Sequence, residues 1–361
     1  MVCIIKISVQ HTFLSVIISI LLLALVSCNI SENKRNKYYI SANESLEKGD
    51  YAEAIKDYAE AVEIDPQFAP GWNNKGIAHF ESGQYSDAIA SYNNAILADP
   101  DMNEAYFNRA KAFMHSKEYK MALNDLNLVG EVFPDTSEVY FRKGLCFYYM
   151  GDPDKSLANF YQALELEPEN PEILVNLSTV YYSMKEYGSS REMLEEALLM
   201  DPEISEAYSG LALLEVRNQK PDLAMDYIEY ALSLAPGNPY FLNNRGYIHL
   251  VTGNYESALG DINASIQIDP YNAWSYRNKG IYYYKTGKYE DALRLLNKAK
   301  EMDNNMESID LYLGLTHNEL GNTDKACEYF NNGLAAGDEQ CKEAIENFCV
   351  NQEGKKKHID P

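Results

Sequence analysis

The chain lacks every short pattern that commonly marks an enzyme. It has no glycine-rich phosphate loop, no H-E-x-x-H zinc site and no nucleophile elbow. Its 6 histidines and 6 cysteines do not fall at the spacings that hold a metal. Positive charge is scarce: 31 Lys and Arg stand against 54 Asp and Glu, a net charge of −23. Nucleic-acid binding needs a basic face, so that class is excluded, while solubility and a basic partner are favoured. No stretch alternates as a half-buried strand does. Long apolar runs are missing too. The one candidate, Phe13 to Val26, counts 14 residues, and a spanning helix needs about 20.

What the chain has is a period. Pro66, Pro100, Pro134, Pro168, Pro202, Pro236 and Pro270 stand 34 residues apart, and Asn304 holds the next place. A fixed period of this size marks one supersecondary unit repeated end to end, each burying its apolar face on its neighbours. With each proline as position 32, units begin at Arg35, Ala69, Asn103, Ser137, Pro171, Ser205, Pro239, Ala273 and Glu307. Position 8 is then small throughout, from Ala42 and Gly76 to Gly280 and Gly314, and so is position 20, from Ala54 to Ala326. Small residues there let two helices approach closely, and bulky residues at positions 4, 11 and 24 fill the space beside them. Most of the 29 tyrosines belong to such packing positions and need no ligand to explain them. Gly49, Gly83, Gly151, Gly253, Gly287 and Gly321 share position 15, where a helix ends in a left-handed residue. The proline at position 32 closes a second helix.

This pattern resembles the tetratricopeptide repeat family. Residues Ala69 to Met102 carry its small-and-large signature in nearly every place, and about nine copies cover roughly 35–338. The resemblance implies an all-α fold, a right-handed α-solenoid of about nine helix-turn-helix repeats, with binding rather than catalysis as its work. The expected layout is 1–27 a leader, 28–36 a lipidated tether, 37–338 the repeats, 339–349 a capping helix and 350–361 a disordered tail.

At the front, Leu25-Val26-Ser27-Cys28 resembles a bacterial lipobox, with Cys28 as the lipidated residue of the mature protein. Loss of Lys6 with the leader leaves about −24. Asn29 after the cysteine points to the outer membrane, facing periplasm or outside. At the back, Cys341, Ala344, Ile345 and Phe348 make one stripe of a short helix. Reversal near Gly337 brings Cys327 near Cys349 and Cys341 near Ala335, so a Cys327–Cys349 disulfide is expected in an oxidising compartment. Cys146 reads as a small core residue, and His79, His249 and His317 as packing residues at position 11.

Two rows stand out. Position 7 carries Lys75, Arg109, Lys143, Arg245 and Lys279, and position 23 carries Asp57, Asp125 and Asp261. Each lysine lies 18 residues after one of these aspartates, and each arginine 16 before one, which predicts a ladder of partly buried ion pairs. The other reading is that these cations line the groove and attract an acidic ligand. Position 6 carries Asn74, Asn108, Asn176, Asn244 and Asn278, which in this family faces the concave surface. A row of amides can both donate to and accept from an extended chain. Phe107, Phe141, Tyr240, Trp274 and Arg277 surround it and are residue types that anchor interfaces. The family's two-carboxylate clamp is absent. The expectation is a membrane-anchored scaffold that holds a protein or extended peptide in its groove within an envelope assembly. It has no catalytic residues, cofactor or metal, and self-association is open to it. The rival reading is a scaffold that binds through its convex face or loops, beside an envelope enzyme or glycan-handling system.

Overall fold

The computed structural model describes residues 30–304 and 306–349. Expectations for Cys28, the leader and the tail lie outside these residues. The chain divides into two compact units, which meet in sequence at Glu169 and Asn170. The proline period runs through this boundary unbroken, so nothing in the repeat announces it.

The first unit holds four helix pairs: α1 (30–47) with α2 (Tyr51–Ile64), α3 (Ala69–Glu81) with α4 (Tyr85–Ala98), α5 (Asn103–His115) with α6 (Tyr119–Val132), and α7 (Ser137–Tyr149) with α8 (Pro153–Leu166). The second holds five: α9 (Pro171–Ser183) with α10 (Tyr187–Met200), α11 (Ser205–Arg217) with α12 (Pro221–Leu234), α13 (Pro239–Thr252) with α14 (Tyr255–Ile268), α15 (Ala273–Lys285) with α16 (Tyr289–Met302), and α17 (Ile309–Glu319) with α18 (Thr323–Ala335). A last helix, α19 (Gln340–Phe348), packs on both α17 and α18. Within each unit every helix packs on the next, and first helices also touch the first helix of a neighbouring repeat. First helices therefore form an inner layer and second helices an outer one.

Size coupling holds each pair. Position 24 is fully buried in all nine repeats: Tyr58, Tyr92, Leu126, Phe160, Leu194, Ile228, Ile262, Leu296 and Phe330. Opposite Tyr92, Phe160 and Phe330 position 8 is glycine, as it is opposite Ile262 and Leu296, while Tyr58 is met by Ala42. A Cβ on Gly76 would stand 2.4 Å from the Tyr92 ring, and one on Gly314 2.4 Å from Phe330. Where position 8 carries a methyl, as at Ala110 and Ala212, its partners are the slimmer Leu126 and Ile228.

The turn between paired helices has one shape in all nine repeats. Six place glycine at its left-handed position, and Lys117, Lys185 and Gln219 adopt the same conformation at φ 61°, 64° and 59°. Without glycine that conformation costs about 1 kcal/mol. The ninth repeat departs from the others at its start. Ser308 stands left-handed before α17, and Asp310, in place of a bulky residue, takes an ion pair from Lys300.

Candidate functional site

The inner layer carries the polar rows, and its asparagines point back along the array. In the first unit, Asn74 Nδ2 donates to the Tyr39 hydroxyl at 3.0 Å, and Asn108 Nδ2 to Asn73 Oδ1 at 3.2 Å. In the second, Asn244 Nδ2 donates to Ser209 Oγ at 3.0 Å and Asn278 Nδ2 to Asn243 Oδ1 at 2.9 Å. Each bond spans 35 residues, one repeat plus one, so a position-6 amide binds the position-5 side chain of the preceding first helix. Asn176 instead donates to the Glu172 carbonyl of its own helix at 2.9 Å. The asparagines expected to hold an extended chain thus also bond within the array. Donors that would hold an extended chain already staple one repeat to the next, because an unmade bond on a buried amide is costly.

The aromatic and cationic candidates separate by unit. Phe107 lies beneath the Arg142 guanidinium at 5.5 Å, and Phe141 meets the Phe160 ring edge-on at 5.6 Å. Both are half-buried packing residues of the first unit. In the second, Tyr240 is 52% exposed and its hydroxyl donates to Asp269, while Trp274 is 38% exposed. Arg277 differs from every other cation on this face. It is 5% exposed, with its guanidinium 5.5 Å from the Tyr247 ring and 5.2 Å from the Trp274 ring. Its Nη1 donates to Asn278 Oδ1 at 2.9 Å and its Nε has no partner. No carboxylate pairs with it among the described residues. A buried charge without a counter-charge is expensive.

Tyrosines line the face around it. Tyr182, Tyr247 and Tyr312 stand on the first helices α9, α13 and α17, and Tyr247 lies against Arg277. Burial pushes the Tyr182 phenol up and the Tyr312 phenol up to about 12. Both stay neutral at physiological pH and present hydroxyls, not charges, to the inner face.

The ion-pair ladder forms only where arginine supplies the cation. Arg109 closes on Asp125 through Nε and Nη2 at 2.8 and 2.7 Å, and Arg245 on Asp261 at 2.7 Å for both bonds. The expected lysine pairs do not form. The arginine fork meets both oxygens of Asp125 and of Asp261 with fixed geometry, and neither Lys143 nor Lys279 reaches them as an ion pair. Lys143 lies over Tyr140 and Lys75 over Trp72, and burial lowers the pKa of both amines. Asp57 has Ser41 where an arginine would stand, and accepts its hydroxyl at 2.6 Å.

The remaining candidates are structural. Cys327 is bonded to Cys349, with Cα atoms 5.8 Å apart, tying α18 to the end of α19. Cys341 packs against Gly333. Cys146 is fully buried, which pushes its thiol up to about 12. His79 bonds Gln84 at 3.0 Å, His317 stacks on Tyr329, and His249 stands 3.9 Å from Asp261. Among the described residues no three His, Cys, Asp or Glu side chains gather as metal ligands would, and no helix is long and apolar enough to cross a membrane.

Three contacts of the second unit escaped the sequence reading. Glu215, 3% exposed, pairs with Arg191; its place at the packing position 11 was the signal available. Arg217 Nη1 donates to Glu307 at 2.7 Å across 90 residues, and Lys185 Nζ to the Gly337 carbonyl across 152. No periodic pattern exposes contacts of that separation.

An array of helix pairs with a polar and aromatic inner layer defines a protein-binding scaffold. Tetratricopeptide repeat models match residues 42–83, 73–129, 148–214, 240–305 and 277–340, together more than half of the chain. The chain belongs to the tetratricopeptide repeat family. Among solved structures, the human IFIT1 dimer with PPP-AAAA is similar at TM-score 0.60 and 18% identity, over 88% of this chain and 82% of that one. The Cut9 and Hcn1 hetero-tetramer of the APC/C is similar at 0.57 and 14%, over 82% and 59%. MamA from Desulfovibrio magneticus RS-1 matches at 0.46 and 20%, over 47% and 96%. At these identities the likeness is one of fold alone. No curated protein matches the sequence.

Proposed function

We propose that the protein is lipid-anchored through Cys28 to a bacterial outer membrane and holds an extended segment of a partner protein on the inner face of its second unit. There it would support assembly of an envelope complex. The observation that carries the groove reading is Arg277, a buried guanidinium between two rings with no carboxylate of its own. A carboxylate on the partner segment would supply the missing charge, and a charge-assisted bond in such a setting is strong. The chain's net charge of −23 repels acidic surfaces in general. The fitting segment is therefore one acidic side chain inside a neutral or basic stretch. The hydroxyls of Tyr247 and Tyr312 suit its backbone.

The test is selection from a display library of extended peptides against the full chain. Sequences with a single fixed Asp or Glu are expected, and Arg277→Ala should erase that preference. Enrichment unchanged by Arg277→Ala would remove the groove reading. For the anchor, cells fed labelled palmitate should label the wild-type protein and not Cys28→Ala.

A second reading rests on the outer layer. Leu97 and Leu199, both at position 29, are 78% and 86% exposed. Partner contact through these second helices would bypass Arg277 altogether.

A further inference from the structure

In a repeat array each unit touches its neighbours, and contacts that skip repeats need a cause. The second unit has two. The turn after α9 meets the turn after α18: Lys185 Nζ donates to the Gly337 carbonyl, 152 residues on. The end of α11 meets the segment before α17: Arg217 pairs with Glu307 at 2.7 Å. Repeats five and six thus reach repeat nine over those between them. Arg217 also lies 4.3 Å from the Tyr187 ring and 5.8 Å from Tyr182. Tyr182, Tyr247 and Arg277 all stand on first helices of this unit, α9, α13 and α15, so these contacts lie on the same inner layer as Arg277.

We infer that Arg217–Glu307 and Lys185–Gly337 form a polar latch that closes this inner face and gates entry to it. The gate rests on the groove reading above for its purpose, but its opening is measurable without a ligand. Two features show it built to open. The Arg217 and Glu307 side chains are 35% and 39% exposed, a weak and salt-screened class of pair. Lys185 holds the left-handed turn position that six other repeats give to glycine. Lys117 and Gln219 hold the same conformation, and Lys185 differs from them in spending its amine on the far end of the unit.

The test uses the full chain with spin labels carried on non-natural residues at the exposed Glu186 and Glu339. A single short distance is expected in dilute buffer. Salt at about 0.5 M, which screens exposed pairs, or R217E should raise a longer, broader population roughly fivefold at the expense of the short one, and R217E/E307R should return the short one. In parallel, maleimide labelling of a Tyr247→Cys variant, read by mass spectrometry, should accelerate roughly fivefold on opening, the population change an exposed pair supports. A long population in the wild type at low salt would overturn the latch. So would distances and labelling indifferent to R217E, or a double charge swap that fails to restore closure. Opening and faster labelling, with no selected peptide bound by either form, would support the gate and remove only the groove reading.

Discussion

Replacing Asp125 by alanine tests what holds the two helices of the third repeat together. Arg109 grips both carboxylate oxygens, and the side chains are 18% and 5% exposed. Alanine would strand a largely desolvated guanidinium, and one-sided removal from a buried pair costs about 3–5 kcal/mol. Arg109 retains a bond to Asn93 at 2.6 Å and some contact with water, which places the loss near about 3 kcal/mol. Asp261→Ala breaks the same geometry where exposures are 29% and 13%, so screening reduces its cost to about 1–2 kcal/mol. Asp57→Ala removes a carboxylate held by one hydroxyl and should cost about 1 kcal/mol. Arg109→Met with Asp125→Leu should recover most of the loss, because no buried charge is then left alone. Urea unfolding gives the magnitudes, with hydrogen exchange in α5 and α6 locating them, since arrays open by parts. Equal losses at the three aspartates, or a double variant as damaged as Asp125→Ala, would refute the pair as the clamp.

Three further outcomes follow from packing and burial. Gly314→Ala forces a methyl into the Phe330 ring and should cost about 1–3 kcal/mol, whereas Gly260→Ala, with open space inside α14, should stabilise by about 1 kcal/mol; thermal melts that reverse this order would refute the size coupling. Gln219→Gly relieves a left-handed residue and should stabilise by about 1 kcal/mol, read as a higher urea midpoint. Burial lowers the His317 pKa below the usual imidazole range. The folded state then binds its proton less readily than the unfolded chain. This contribution is complete above about pH 6.5 and is lost as pH falls below it. NMR titration of the imidazole giving a value at or above that of a free histidine would contradict this.

Most of the fold was legible because it is periodic and local. Prolines every 34 residues, small residues at positions 8 and 20, and glycine at position 15 each answer to one repeat's own packing. The disulfide partners were legible for the same reason, since one reversal near Gly337 brings Cys327 and Cys349 together. The site was less so. The bonds of Asn74, Asn108, Asn244 and Asn278 were not legible because their acceptors stand on another repeat, although Tyr39, Asn73, Ser209 and Asn243 all carry an acceptor 35 residues earlier. The lysines at position 7 looked equivalent to arginines in charge, yet only the arginine fork satisfies both carboxylate oxygens. Arg277 was legible as a residue type, while its burial and lack of a counter-charge depend on neighbours from α13 and α17. The latch joins positions 90 and 152 residues apart, and only the folded second unit brings them together.

Photo-cross-linking in intact cells puts the inner-face claim to its most direct trial. A photoreactive phenylalanine analogue would replace Tyr247 or Trp274 in one set and Leu97 or Leu199 in another. The account predicts that both inner positions capture the same partner and that neither outer position does. Capture from Leu97 and Leu199, with Tyr247 and Trp274 silent, would contradict it.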